Sequence, residues 1–233
     1  MKIAVFGANG PTGRLIVRQS LEAGHDVTAI TRNPDSFPPL GPGLRVVAAD
    51  VHDPEAIDTA VAGQDAVLSS LGVPYSRQPV TVYSNGTANI VAAMTRHGVE
   101  RLVCVSASLA APGLGPHGGF FVDKVAGPLV AYFGRTVYAD MARMEALLRQ
   151  SDVGWTIMRP NGLFETPQVT DYRTAEDYLD ASYTSRADLA DAMRRQLESD
   201  DYLRKVCAVA TTAEKPSLIQ LLVREGSSKK GTS

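Results

Sequence analysis

The chain has 233 residues, 44% of them hydrophobic and 21% charged, with a formal net charge of −2. That length buries a sizeable core in one domain, and the near-neutral balance lacks the basic footprint of a nucleic-acid or anionic-membrane binder. The most apolar long stretch, 120–133, is interrupted by Asp123 and Lys124 and is too short to cross a bilayer, so the expectation is a cytoplasmic protein with a small-molecule substrate, no nucleic-acid or membrane partner, and a monomeric or homodimeric state.

Lys2–Phe6 reads as a strand that stops at Gly7. Glycines 7, 10 and 13 then follow at G-x-x-G-x-x-G spacing, and an amphipathic helix begins among them and continues through Arg14–Ala23. Each glycine has a task in a dinucleotide-binding turn. Gly7 allows a sharp exit from the strand, Gly10 leaves room for a pyrophosphate, and Gly13 lets the helix pack close. The helix start then offers free N–H groups and a positive dipole end to the phosphates. A strand directly before and a helix directly after supply the context this motif requires.

Gly24 ends the first helix, and Asp26–Thr31 is the second strand. NAD-preferring folds place an acid at the end of this strand for the ribose 2′-hydroxyl. Here the end reads Thr31-Arg32-Asn33-Pro34, with a cation and no acid. Arg32 is either the partner of a 2′-phosphate, which implies NADP(H), or a solvated surface arginine. The proline-rich 36–43 segment is a loop. A third strand, Leu44–Ala49, delivers Asp50 and Val51 to the strand ends where open α/β sheets bind ligands, at the expected adenine site. Asp53-Pro54 opens a helix as N-cap and N1, and His52 reads as a loop residue.

The fourth strand, Asp65–Ser70, ends at Leu71-Gly72, where the glycine fits either close approach by a ribose or nicotinamide or a plain turn. A helix spans 82–97, stopped by Gly98. The fifth strand, Arg101–Val105, is followed by Ser106, whose hydroxyl is a candidate contact for the nicotinamide or a substrate carbonyl. Residues 107–122 form a long Gly/Pro/Ala-rich loop of the kind used as lids. A helix over 137–150 precedes the sixth strand, Trp155–Met158, which leads into Arg159-Pro160-Asn161-Gly162-Leu163. Arg159 either reaches an anionic substrate or binds backbone carbonyls. Residues 165–184 carry no clear period. A helix over 186–197, capped by Ser185, comes next; its Asp188 and Asp191 read as capping and solvated charges, with the neighbourhood of Arg186 or the preceding loop as a further partner for Asp188. A seventh strand covers 205–210, a short helix 217–224, and 225–233 is a disordered tail beyond a single domain of residues 1–224. Cys104 and Cys207, far apart in apolar runs, read as reduced core residues, with no metal site expected. The alternation predicts an α/β fold with a doubly wound parallel sheet and a small C-terminal substrate-side extension.

Gly7-x-x-Gly10-x-x-Gly13, Thr31-Arg32-Asn33-Pro34, Asp50-Val51, Trp155-Thr-Ile-Met-Arg-Pro160 and Ser185-Arg-Ala-Asp-Leu-Ala190 together resemble the atypical short-chain dehydrogenase/reductases with an NmrA-like NAD(P)H-binding domain, over roughly residues 1–210. In size and C-terminal part the chain is similar to flavin reductase and biliverdin reductase B-like proteins. The resemblance implies a Rossmann-type domain in which Gly7, Asn9, Gly10, Pro11, Thr12 and Gly13 hold the pyrophosphate, and Thr31 and Arg32 the 2′-phosphate end. It further implies that Asp50 and Val51 frame adenine, Leu71 and Gly72 line the ribose, and Ser106, Pro160, Asn161, Gly162 and Leu163 lie by the nicotinamide. Typical members use a Tyr-x-x-x-Lys pair; here Val137 and Met141 stand at those positions, and the nearest tyrosine, Tyr138, is one residue off. Met141 also replaces a histidine of the flavin reductase-like branch. Tyr138 is therefore either a packed aromatic or a displaced catalytic acid. The resemblance implies an NADPH-dependent reductase acting on a planar flavin, quinone or tetrapyrrole, with a non-catalytic NADP(H) sensor and a sugar-nucleotide epimerase as alternatives.

Overall fold

The computed structural model describes residues 1–110 and 127–213. Its central strand is β1 (Lys2–Phe6), in which Ile3, Ala4, Val5 and Phe6 are wholly inaccessible to solvent. Ile3 and Val5 point into one apolar cluster, Ala4 and Phe6 into another. A strand covered on both faces needs apolar residues at consecutive positions, which explains the unbroken Ile-Ala-Val-Phe run.

β1 pairs in parallel with β2 (Asp26–Thr31) on one side and β4 (Ala66–Ser69) on the other, so that Phe6 stands between Ile30 and Ser69. β3 (Leu44–Ala48) flanks β2, and β5 (Arg101–Val105), β6 (Gly154–Pro160) and β10 (Lys205–Thr211) extend the parallel sheet beyond β4. A last strand, β8 (Tyr172–Glu176), joins β10 in antiparallel register. Helices α1 (Pro11–Glu22) and α6 (Arg186–Arg195) cover one face, packing Ile16, Val17, Leu189 and Met193 on Ile3 and Val5. Helices α2 (Pro54–Val61), α3 (Ser84–His97) and α5 (Arg135–Gln150) cover the other with Ile57, Ile90, Met94, Met144 and Leu148. The strand order turns around at β1, between β2 and β4. At such a switch point the connections leave for opposite faces and open a crevice at the carboxyl ends of the strands.

The helix signals perform as read in most places. Asp53 Oδ1 accepts from the N–H groups of Glu55 and Ala56, and Ser185 Oγ from that of Asp188. Gly98 ends α3 at φ 66°. α1 begins among the three glycines as expected, with Pro11 at the N1 position. The start of α3 is served from outside: the buried Asp140 carboxylate on α5 accepts from Tyr83 N at 2.9 Å and from the Ser84 hydroxyl. Cys104 and Cys207 are buried free thiols, and burial pushes both up, Cys207 to about 12.

Other expectations need correction. The aperiodic stretch 165–184 contains β8 and enters β9 (Tyr183–Ser185), which pairs in parallel with β7 (Gly162–Phe164) as a two-stranded sheet following the end of β6. This pair forms the C-terminal extension. Asp188 and Asp191 are buried, not solvated, although Asp188 does pair with the preceding loop, one of its expected partners. Asp188 accepts from Thr170 N (2.7 Å), Thr170 Oγ1 (2.9 Å) and Thr211 Oγ1 (2.5 Å), tying α6 to the 170 loop and to β10. Asp191 holds Tyr172, Arg194 and Arg195, and their bonds bring its pKa below the ordinary value although burial opposes this. Ahead of α5 lies α4 (Gly127–Phe133), with Leu129, Tyr132 and Phe133 exposed. Of the 107–122 loop only 107–110 are described, and Ser108–Ala110 make a 3-10 turn; the helix expected at 217–224 and the tail at 225–233 lie outside the described residues.

Candidate functional site

The crevice over β1, β2, β4, β5 and β6 is a cleft of about 950 Å³. Its floor is the Gly7–Gly13 turn. Gly7 adopts φ +70°, and a Cβ there would stand 2.6 Å from the Ser70 carbonyl oxygen at the end of β4. A Cβ on Gly13 would stand 2.2 Å from Gly7 O, so this glycine lets α1 seat on the turn itself rather than on the strand. A Cβ on Gly10 would meet only Gly7 O, at 3.2 Å, leaving the rest of its surroundings open. α2 and α6 are each capped by their own Asp53 or Ser185 side chain, whereas α1, with Gly10 at its N-cap, has no side-chain cap. The helix that opens on the cleft therefore presents its N-terminal N–H groups where an anion can take them. A pyrophosphate fits this cradle.

At one end the cleft is lined by Thr31, Arg32, Asp50, Val51 and His52. Arg32 is exposed. Asp50 Oδ1 accepts from His52 N (2.9 Å) and contacts its ring Nδ1 (3.0 Å); the backbone bond first, then the ring, hold its carboxyl below the usual range. Val51 is buried against α3, where a Cβ on Gly86 would stand 3.0 Å from it. His52, read as a loop residue, is thus part of the site through Asp50. Asn9 lies in the turn with its amide engaged: Nδ2 donates to Ser36 Oγ (2.7 Å), and Oδ1 accepts from Arg14 Nη2 (2.6 Å). Pro11 and Thr12 complete this wall.

Leu71, Gly72, Ser106, Pro160, Asn161, Gly162 and Leu163 all line the middle and far parts of the cleft. Ser106 is buried, and its hydroxyl donates to Glu145 Oε1 at 2.8 Å, so it offers a ligand lone pairs and not a proton. Glu145 also takes Arg159 in a two-pronged pair (2.9 and 2.5 Å). Arg159 therefore serves neither an anionic substrate nor backbone carbonyls: it is the buried counter-ion of Glu145. Burial pushes the Glu145 carboxyl up, but Arg159, Ser106 and Arg149 outweigh it and hold it below the ordinary value. Asn161 Oδ1 accepts from Ser108 at 2.6 Å, and its N–H donates to Thr184 Oγ1 at 3.1 Å.

The buried Val137 and Met141 line the cleft from α5, at the two positions where the resemblance implies a Tyr-x-x-x-Lys pair in typical members. Tyr138 lines it too. Its hydroxyl lies 2.7 Å from that of Tyr75, with the rings edge-to-face at 6.1 Å. Tyr75, in the loop after β4, was not legible as a site residue because nothing in the sequence ties that loop to α5. Neither was Arg186, the first residue of α6, which lines the cleft from the extension side. Among the described residues no group of three metal-ligating side chains exists, and no helix is long and apolar enough to cross a membrane.

Comparison with known proteins gives one family and consistent relatives. A family model described as NAD(P)H-binding matches residues 7–200. An uncharacterised chloroplastic protein of Arabidopsis thaliana is 31% identical over 228 residues, covering 92% of this chain and 78% of its own. Among solved structures, a wide-type short-chain dehydrogenase/reductase from Veillonella parvula in complex with NADP superposes with TM-score 0.71 at 20% identity, over 93% of this chain and 99% of that one. An anaerobilin reductase from Escherichia coli O157:H7 gives TM-score 0.75 at 18% identity, over 93% and 100%.

Proposed function

This chain belongs to the NAD(P)H-binding family, and we propose that it is an NADPH-dependent reductase that passes hydride to a planar acceptor such as a flavin, quinone or tetrapyrrole. The observation that carries this reading is the pairing of an uncapped α1 start over the glycine turn with an aliphatic Val137/Met141 wall of the cleft. The first holds a dinucleotide. The second puts no Tyr-x-x-x-Lys pair at those two positions; Tyr138 beside it has its hydroxyl on that of Tyr75, and we read it as a packed aromatic, which suits an acceptor able to draw its proton from water. NADPH bound here supplies the hydride; the redox chemistry is the cofactor's.

The protein's part is positioning. Gly7, Gly10, Gly13 and the first turn of α1 hold the pyrophosphate, and Arg32 takes the 2′-phosphate as a charge-assisted fork. Asp50, kept ionised by His52, accepts from the adenine amino group beside Val51. Pro160-Asn161-Gly162-Leu163, fixed by Ser108 and Thr184, forms the shelf beside the nicotinamide. Val137, Met141 and Leu163 keep the reacting face dry, which strengthens the effect of orientation. The NADP complex of the Veillonella protein and the reductase activity named for the Escherichia coli protein support the reading by analogy of fold.

The test is turnover. Purified protein with NADPH is mixed with a panel of flavins, quinones and linear tetrapyrroles, and nicotinamide absorbance is followed. Oxidation with at least one acceptor is expected. Tight NADPH binding without oxidation by any of them overturns the reductase reading and returns a dinucleotide sensor.

A further inference from the structure

Arg186 stands where the extension meets the cofactor turn. It is the first residue of α6, directly after the Ser185 cap, and it lines the same cleft as Arg32. Its Nη1 donates to Thr12 Oγ1 at 3.0 Å, and Thr12 belongs to the first turn of α1, over the glycine turn. Its Nε pairs with Glu165 Oε1 at 2.8 Å; the arginine side chain is 19% exposed and the glutamate 65%. α1 and α6 pack along one another, with Gln19 Nε2 donating to Ala187 O at 3.1 Å, so the guanidinium is held over the α1 N-terminus by two helices rather than by a flexible loop.

We infer that Arg186 is a second cationic clamp on the dinucleotide, binding the nicotinamide-side phosphate of the pyrophosphate, and that Glu165 is the anion it gives up in part when the cofactor arrives. The inference rests on the NADPH reading above. A planar, always-charged fork beside a helix N-terminus adds to the same anion that the N–H groups take. Arg32 follows β2 and Arg186 opens α6, both lining the cleft; a dinucleotide with its 2′-phosphate at Arg32 would bring its adenosine-side phosphate to the glycine turn first and the nicotinamide-side phosphate nearer Arg186. Glu165, being exposed, remains hydrated when it loses this partner, so the exchange costs little.

The test compares NADPH with 2′,5′-ADP, which carries the 2′-phosphate and the adenosine-side phosphate but lacks the nicotinamide-side one. Dissociation constants for both are measured by calorimetry on the full chain, with thermal melting as a control. Arg186→Gln is expected to weaken NADPH binding 10- to 100-fold and to leave 2′,5′-ADP within twofold. Glu165→Gln, which removes this ion pair and keeps the arginine, is expected to tighten NADPH severalfold and keeps the inference testable if Arg186→Gln does not fold. Arg32→Gln must weaken both ligands. Unchanged NADPH affinity in Arg186→Gln, equal loss of both ligands, or looser NADPH binding in Glu165→Gln overturns the clamp while leaving the NADPH reading intact. A wild-type protein that binds 2′,5′-ADP but discriminates no NADPH from it also overturns the clamp, whereas one that binds neither refutes the NADPH reading itself.

Discussion

At the residue scale, the proposed preference for NADPH hangs on Arg32. It is exposed at the lip of the cleft, where the end of β2 meets the glycine turn. A charge-assisted bond to phosphate contributes about 1.5–3 kcal/mol, or roughly 10- to 150-fold in affinity. Arg32→Glu is therefore expected to weaken NADPH by at least tenfold while leaving NADH nearly unchanged or tighter, read by fluorescence titration of the reduced nicotinamide. The place of this residue on the cleft was legible because the acid expected at a known strand end was missing and a cation stood there. Arg159 was not, since an arginine beside Pro160 looks the same whether it faces a ligand or a buried carboxylate. Only the fold brings Glu145 within 2.9 Å of it, fourteen residues back on the neighbouring helix. The burial of Asp188 and Asp191 was missed for a related reason, although the preceding loop was legible as a partner for Asp188. Their spacing on a helix is that of a solvated face, but Thr170, Tyr172 and Thr211 arrive from distant segments to bury them.

At the element scale, the β1–turn–α1 unit was legible in sequence almost to the residue, because glycine spacing, strand and helix all report on the same local geometry. Gly13 is its tightest point. A Cβ there would stand 2.2 Å from Gly7 O and 2.8 Å from Ala8 Cα, both backbone atoms that cannot swing aside. Gly13→Ala is expected to cost about 1–3 kcal/mol by overpacking and to weaken NADPH as α1 lifts from the turn, measured by urea denaturation and titration together. α5 shows the opposite case. Its apolar periodicity placed the helix, and alignment placed Val137 and Met141 toward the substrate. The Tyr75–Tyr138 hydroxyl contact depends instead on a loop whose path no local rule dictates. The two short strands β7 and β9 escaped for the same reason: three-residue strands carry too little periodicity to read, and they exist because β6 and α6 bring their ends together.

At the scale of the whole molecule, parallel order and the switch point at β1 followed from alternating strands and helices, while the antiparallel β8 did not, since a hairpin-free return to an outer edge leaves no sequence mark. Buried carboxylates tie the layers together: Glu145 joins α5 to β6, and Asp191 joins α6 to β8. Both are held below their ordinary pKa in the folded chain. The unfolded chain thus takes up protons first as pH falls. Their contribution is complete above the unfolded carboxylate values, about 4, and is lost as pH drops through the lower folded values. Urea midpoints are expected to stay level from pH 7 to about 5 and to decline below about 4, and a midpoint that rises on acidification contradicts the assignment. The same architecture sets the central claim, that the cleft aligns a reduced nicotinamide against a planar acceptor beside the aliphatic wall of α5. The most direct measurement is single-turnover oxidation of protein-bound NADPH carrying deuterium at one or the other C4 position, mixed with a saturating quinone or flavin. The account predicts oxidation that slows with deuterium at one C4 position and not the other, since a fixed cleft offers the acceptor a single face. Bound NADPH that is not oxidised, or oxidation equally slowed by either label, would contradict it.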